Sequence, residues 1–89
     1  MLDVMYDAFI DNTAKLEELM KDFDGNQKEI GRLIAELGSF WESPESEEFR
    51  VRYKKVKNDK EEFRCLAEEV LERMQELSGV FKNIVNRSF

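Results

Sequence analysis

Trp41-Glu42-Ser43-Pro44-Glu45-Ser46-Glu47-Glu48-Phe49 holds the only Trp and the only Pro of the chain and lies just before the midpoint of its 89 residues. Proline disfavours the α region for the residue before it, so Ser43 is expected to be non-helical. Serine is a preferred N-cap and proline is favoured at the first helical position. Glu45, Glu47 and Glu48 then set negative charge at the positive end of the helix that follows. The stretch predicts a helix start at Ser43 or Pro44, with an elbow over residues 41–45.

On the N-terminal side, Phe9, Thr13, Leu16, Met20, Phe23, Gln27, Ile30, Ile34, Leu37 and Trp41 recur in alternating steps of four and three. That is a heptad seam without a slip. Asp24-Gly25-Asn26 taken alone reads as a turn. The seam keeps its phase across it, so the pattern predicts one helix over residues 4–41. On the C-terminal side, Phe49, Tyr53, Val56, Lys60, Phe63, Ala67, Val70, Met74, Leu77, Phe81 and Ile84 continue the same rule, predicting a second helix over residues 44–85. Folding the seams antiparallel about the elbow pairs Trp41 with Phe49, Phe9 with Phe81, Leu16 with Met74 and large Phe23 with small Ala67, and sets Ile30 against Lys60. The expected fold is all-α: one domain over 1–89, a helix-turn-helix hairpin of two long helices with no strand.

Leu19, Leu33 and Phe40 flank the first seam, and Leu66, Leu71, Val80 and Val85 flank the second. Two such helices are each roughly 60 Å long, and a lone pair leaves most of its surface wet, a marginal arrangement for a small chain. A second hairpin laid over the flanking residues completes a four-helix bundle. The expectation is a homodimer, or a heterodimer with a related hairpin protein, with Leu19, Leu33, Phe40, Leu66, Leu71 and Val80 at the interface.

Composition narrows the function classes. A net charge of −6 gives no general affinity for nucleic acid or an anionic membrane. The charge is uneven: residues 1–41 carry nine acidic and four basic side chains, the remainder eleven and ten. One Cys makes no internal disulfide, and Cys65 falls opposite the seam, where an unreactive surface thiol is expected. Met1-Leu2-Asp3-Val4-Met5-Tyr6-Asp7 has neither a basic region nor a long apolar core and does not read as a signal peptide. No window reaches the roughly 18 apolar residues of a transmembrane helix. The chain has no His, its Gly residues form no phosphate loop, and Cys65 has no imidazole to activate it. No enzyme, cofactor or metal is expected. The basic run Arg50, Arg52, Lys54, Lys55, Lys57, Lys60 and Arg64 is diluted by acids and reads as a solvated face. No aromatic stacking set accompanies it, as single-strand binding requires.

The elbow carries a resemblance. Helix, Trp-x-Gly turn and second helix in about a hundred residues is the plan of the WXG family of type VII (ESAT-like) secretion substrates. Trp41-Glu42-Ser43, the residues through Phe49 and the basic-aromatic Arg50-Val51-Arg52-Tyr53 are similar to that family's Trp-x-Gly region. Ser43 stands where the family has Gly. The family's export signal, an aromatic residue four before an acidic one near the end of helix two, is not matched: Phe63 is followed at that spacing by Ala67 and Phe81 by Val85. The one match, Trp41 to Glu45, lies at the elbow. The resemblance implies a leaderless type VII substrate or co-secreted partner that acts by protein–protein interaction, secreted without a cleaved signal peptide or cytoplasmic before export. A neighbouring expectation is an adaptor or chaperone for the helical targeting domain of a larger toxin; a third is an intracellular coiled-coil assembly protein. Motif residues are Trp41, Glu42, Ser43, Pro44 and Phe49, with Trp41 expected half-exposed at the bundle end as part of a recognition surface.

Overall fold

The computed structural model describes residues 3–87; Met1 and Leu2, at the head of the stretch read as no signal peptide, lie outside them. The described residues form helices and one pair of two-residue strands, where no strand was expected. In order the elements are β1 (Asp3–Val4), α1 (Tyr6–Met20), α2 (Phe23–Ala35), a single 3₁₀ turn (Leu37–Ser39), β2 (Trp41–Glu42), α3 (Pro44–Val56) and α4 (Lys60–Arg87).

Among the described residues the two long helices expected from the seams are therefore four helices, and the chain reverses at three places. β1 pairs antiparallel with β2, Val4 opposite Trp41, and the Met5 amide donates to the Phe40 carbonyl at 3.2 Å. A continuous helix over 4–41 would hold those residues more than 50 Å apart. The longest extent of the whole molecule is 44 Å, close to the roughly 42 Å of α4 alone.

Capping chemistry places the two unexpected corners. Lys21 is still helical (φ −63°, ψ −27°) and only Asp22 departs (φ −133°, ψ 75°). Its carboxylate accepts from the Gly25 amide at 3.1 Å, and Asn26 Nδ2 donates back across the corner to the Leu19 carbonyl at 3.0 Å. At the other corner the Asp59 carboxylate accepts from the Glu62 amide at 3.2 Å and its carbonyl from the Phe63 amide at 2.8 Å. Aspartate is a preferred N-cap because it satisfies amides that the first turn leaves open.

Each helix runs antiparallel to its neighbours. α1 lies along α4, with the Phe9 and Phe81 rings 5.0 Å apart and Gln75 donating to Glu17 at 3.0 Å. α3 lies along the earlier part of α4, with Arg73 on Glu45 at 2.8 Å and Arg52 on Glu69. α2 packs on α1 and on α3, where Gly31 lies against Tyr53. The segment after α2 continues both contacts, with Gly38 of the 3₁₀ turn against Arg50 and Phe40 on Phe9 of α1. One four-helix core results, and its buried members are the seam residues Phe9, Leu16, Phe23, Ile30, Ile34, Leu37, Trp41, Phe49, Phe63, Ala67, Val70 and Met74, joined by Leu33, Phe40 and Leu66. Thr13 enters this apolar seam because its hydroxyl donates to the Phe9 carbonyl at 2.8 Å.

Candidate functional site

The elbow starts a helix as Ser-Pro predicts. Ser43 is extended (φ −158°, ψ 160°) and Pro44 occupies the first turn. The Ser43 hydroxyl accepts from the Ser46 amide at 3.1 Å, and the Ser46 hydroxyl accepts from the Ser43 amide at 3.3 Å. This is a reciprocal capping box. Ser46 is fully buried and its hydroxyl also reaches the Trp41 carbonyl, so the cap ties the helix start to the strand before it. Because Ser43 needs no left-handed conformation, a serine serves this position without strain. Glu42 is exposed beside it.

Trp41 differs from expectation. Its indole is 2% exposed, edge-on to Phe9 at 5.3 Å and tilted on Phe49 at 6.0 Å. The α1–α2 reversal brings Phe9 and Phe40 over what a two-helix hairpin would have left as an open end. The indole is a core residue and contributes little to any outer recognition surface.

The six residues assigned to a partner interface divide in the same way. Leu33, Phe40 and Leu66 are buried within this chain, Leu19 and Leu71 pack half-buried against the core, and only Val80 is exposed, at 53%. The reason is geometric: a helix with neighbours on two sides buries a wider stripe than a two-stranded seam does. Two expected pairs also shift. Phe23 meets Phe63 edge-on at 5.2 Å as well as sharing the core with Ala67, and Lys60 turns to Asp24 at 3.0 Å and away from Ile30.

The basic run is partly consumed by ion pairs. Arg52 forks onto Glu69 at 3.0 and 2.8 Å, which holds the Glu69 carboxyl below its ordinary range. Lys60 and Arg64 converge on Asp24, and Lys60 first and Arg64 second lower its pKa. The Arg64 guanidinium also stacks 4.9 Å above the Phe23 ring. Cys65 is exposed. Among the described residues no group of three or more His, Cys, Asp or Glu side chains is placed to hold a metal, and no helix is long and apolar enough to cross a membrane.

Comparison with family models, with curated proteins and with solved structures finds no match to this chain.

Proposed function

We propose that the chain is a non-catalytic helical protein working through protein–protein contact, in the manner of type VII secretion substrates and co-secreted partners. The observation that carries this reading is the elbow: Trp41, a Ser43-capped turn and Phe49 form one packed unit at the start of a helix. These are the motif residues of the resemblance to the WXG family, whose plan of two long helices is here four. The groups with shifted pKa values fit it too, since Lys21, Asp24, Arg52, Glu69 and Arg73 all belong to exposed ion pairs on helix surfaces.

The partner is a second copy or a related helical hairpin protein. With Leu33, Phe40 and Leu66 enclosed, it docks on the outer faces, Val80 of α4 among them. The test is export measured with and without the secretion ATPase, together with identification of what co-purifies with the untagged chain. With its partner the chain leaves the cell intact; alone it stays inside, because the aromatic-acidic signal is missing from helix α4. Retention in both strains, with no helical partner recovered, overturns the reading.

One feature favours the adaptor form. Ile10, Thr13, Ala14, Glu17, Gln75, Ser78, Gly79 and Lys82 line an open groove of about 320 Å³ between α1 and α4. Its floor of small residues suits a ridge from a helix of a larger protein. Recovery of a much larger helical partner, lost on Ala14→Phe, would select this form.

A further inference from the structure

We propose that the cleft between α2 and α3 is an oxyanion site that takes a carboxylate from an acidic peptide segment of a partner protein. This rests on the protein–protein reading above and names the chemistry of the partner.

Arg32, Arg64 and Arg73 each meet a carboxylate within 3.4 Å, and Arg52 grips one through both ends of its fork. Arg50 meets none. Its Nε is shut off from water with no acceptor, and it is the only buried side-chain nitrogen or oxygen in that condition among the described residues. A buried donor left without a partner is costly, and charged donors more so. The chain carries 20 acidic side chains, yet none forms an ion pair with Arg50, Lys54 or Lys57 among the described residues.

These three cations share one cleft. Ala35, Arg50, Tyr53, Lys54 and Lys57 line a cavity of about 290 Å³. Two glycines of the facing segment make the room. A side chain at Gly38 would place its Cβ 2.9 Å from the Arg50 guanidinium carbon, and one at Gly31 would strike the Tyr53 hydroxyl. The helix dipole accounts for Lys54 and Lys57 near the C-terminus of α3. It supplies no acceptor to the Arg50 Nε.

The molecule shows what such an acceptor looks like. Arg73 Nε donates to the Glu45 carboxylate at 2.8 Å, and the planar guanidinium suits a planar carboxylate. A nucleic acid fits poorly. Its phosphates would run from the cleft onto a surface of net charge −6, and the Tyr53 ring is already engaged with Phe63 at 5.5 Å.

The experiment is an NMR titration of the full chain at low ionic strength with a blocked pentaglutamate peptide. Blocked pentaglutamine and inorganic phosphate are titrated in parallel. Pentaglutamate is expected to shift the Arg50 Nε–H and the Ala35 amide saturably, while pentaglutamine does not. Arg50→Gln and Arg50→Lys both weaken binding about tenfold or more, since lysine keeps the charge but lacks the fork. Lys55→Gln, outside the cleft, changes it less than about twofold, as a single exposed charge should. Lys54→Gln gives the same readout, by a severalfold loss, should the Arg50 variants fold poorly. No saturable shift with pentaglutamate, equal losses in Lys55→Gln and Arg50→Gln, or saturation by phosphate alone would each overturn the assignment. The isolated chain suffices here, so failure leaves export and co-purification to decide the broader function, and failure of export leaves the cleft standing.

Discussion

At one end of the bundle the chain passes from α2 to α3 through Trp41, Ser43 and Pro44; at the other it turns twice, at Lys21–Asp22 and at Lys57–Asp59. The first crossing is enclosed. An indole, two phenyl rings and a buried serine fill it, and a strand pair closes over it. The second end is wet. Each of its corners rests on an aspartate cap, and Asp24, Lys60 and Arg64 hold the corners together in exposed ion pairs. Burial of aromatic surface stabilises far more than exposed ion pairs do. The wet end should therefore loosen first on warming or acidification, and the enclosed end should unfold with the whole domain.

The comparison breaks most readily at Trp41. Trp41→Ala should lose about 3–5 kcal/mol, the cost of a fully enclosed aromatic, read from urea unfolding; an unchanged midpoint would mean the indole is not a core group. Leu66→Ala comes next, at about 2–4 kcal/mol, whereas Val80→Ala should stay within about 0.5 kcal/mol. If Leu66 faced a partner and not this chain's own core, dilution would change that loss.

Smaller effects sharpen the contrast. Ser43→Ala at the enclosed end and Asp22→Ala at the wet end should each cost about 1 kcal/mol, but hydrogen exchange should tell them apart. Asp22→Ala releases only the amides at the start of α2, while Ser43→Ala shortens protection over α3 and the strand pair together. The smallest effect belongs to Asp24. Lys60, then Arg64, hold its folded pKa below the ordinary 3.8. Its contribution is therefore full above that value and is lost as pH falls through the lower folded value. Asp24→Asn should lower stability slightly at neutral pH, where the pair is intact, and leave it unchanged in acid, so that the acid limb of a stability–pH curve flattens below about pH 4.

The sequence reading separates along the same line. Ser43-Pro44 carries its own conformational instruction, and the capped helix start follows from those two residues. The seam also named nearly all of the core, because every helix turns its 4–3 positions inward whether the chain runs on or reverses. That same fact hid the corners. Asp22 leaves the helix without adding a residue, so Leu16 stays seven before Phe23 across the corner and the count shows no break. Two signals were present. Asp22 stands three residues before Gly25 and Asp59 three before Glu62, both at N-cap spacing. Leu19, Leu33, Phe40 and Leu66 widened the apolar stripe beyond a two-stranded seam. Read as leftovers for another molecule, they belong to helices that have two neighbours within one chain. The basic run held the three cations of the Arg50 cleft and was read as a solvated face, since the cleft itself depends on which segment lies across α3.

The burial of Trp41 also fits the molecule with an optical gauge. It is the only tryptophan, and its indole stands between Phe9 and Phe49 with almost no contact with solvent. Emission from the folded chain should sit toward the blue and resist quenching by acrylamide. Because the fluorophore occupies the enclosed end, its red shift will report global unfolding and stay silent while the aspartate-capped corners open. Set beside circular dichroism, which registers loss of helix anywhere, a lag between the two signals would time the order in which the two ends let go.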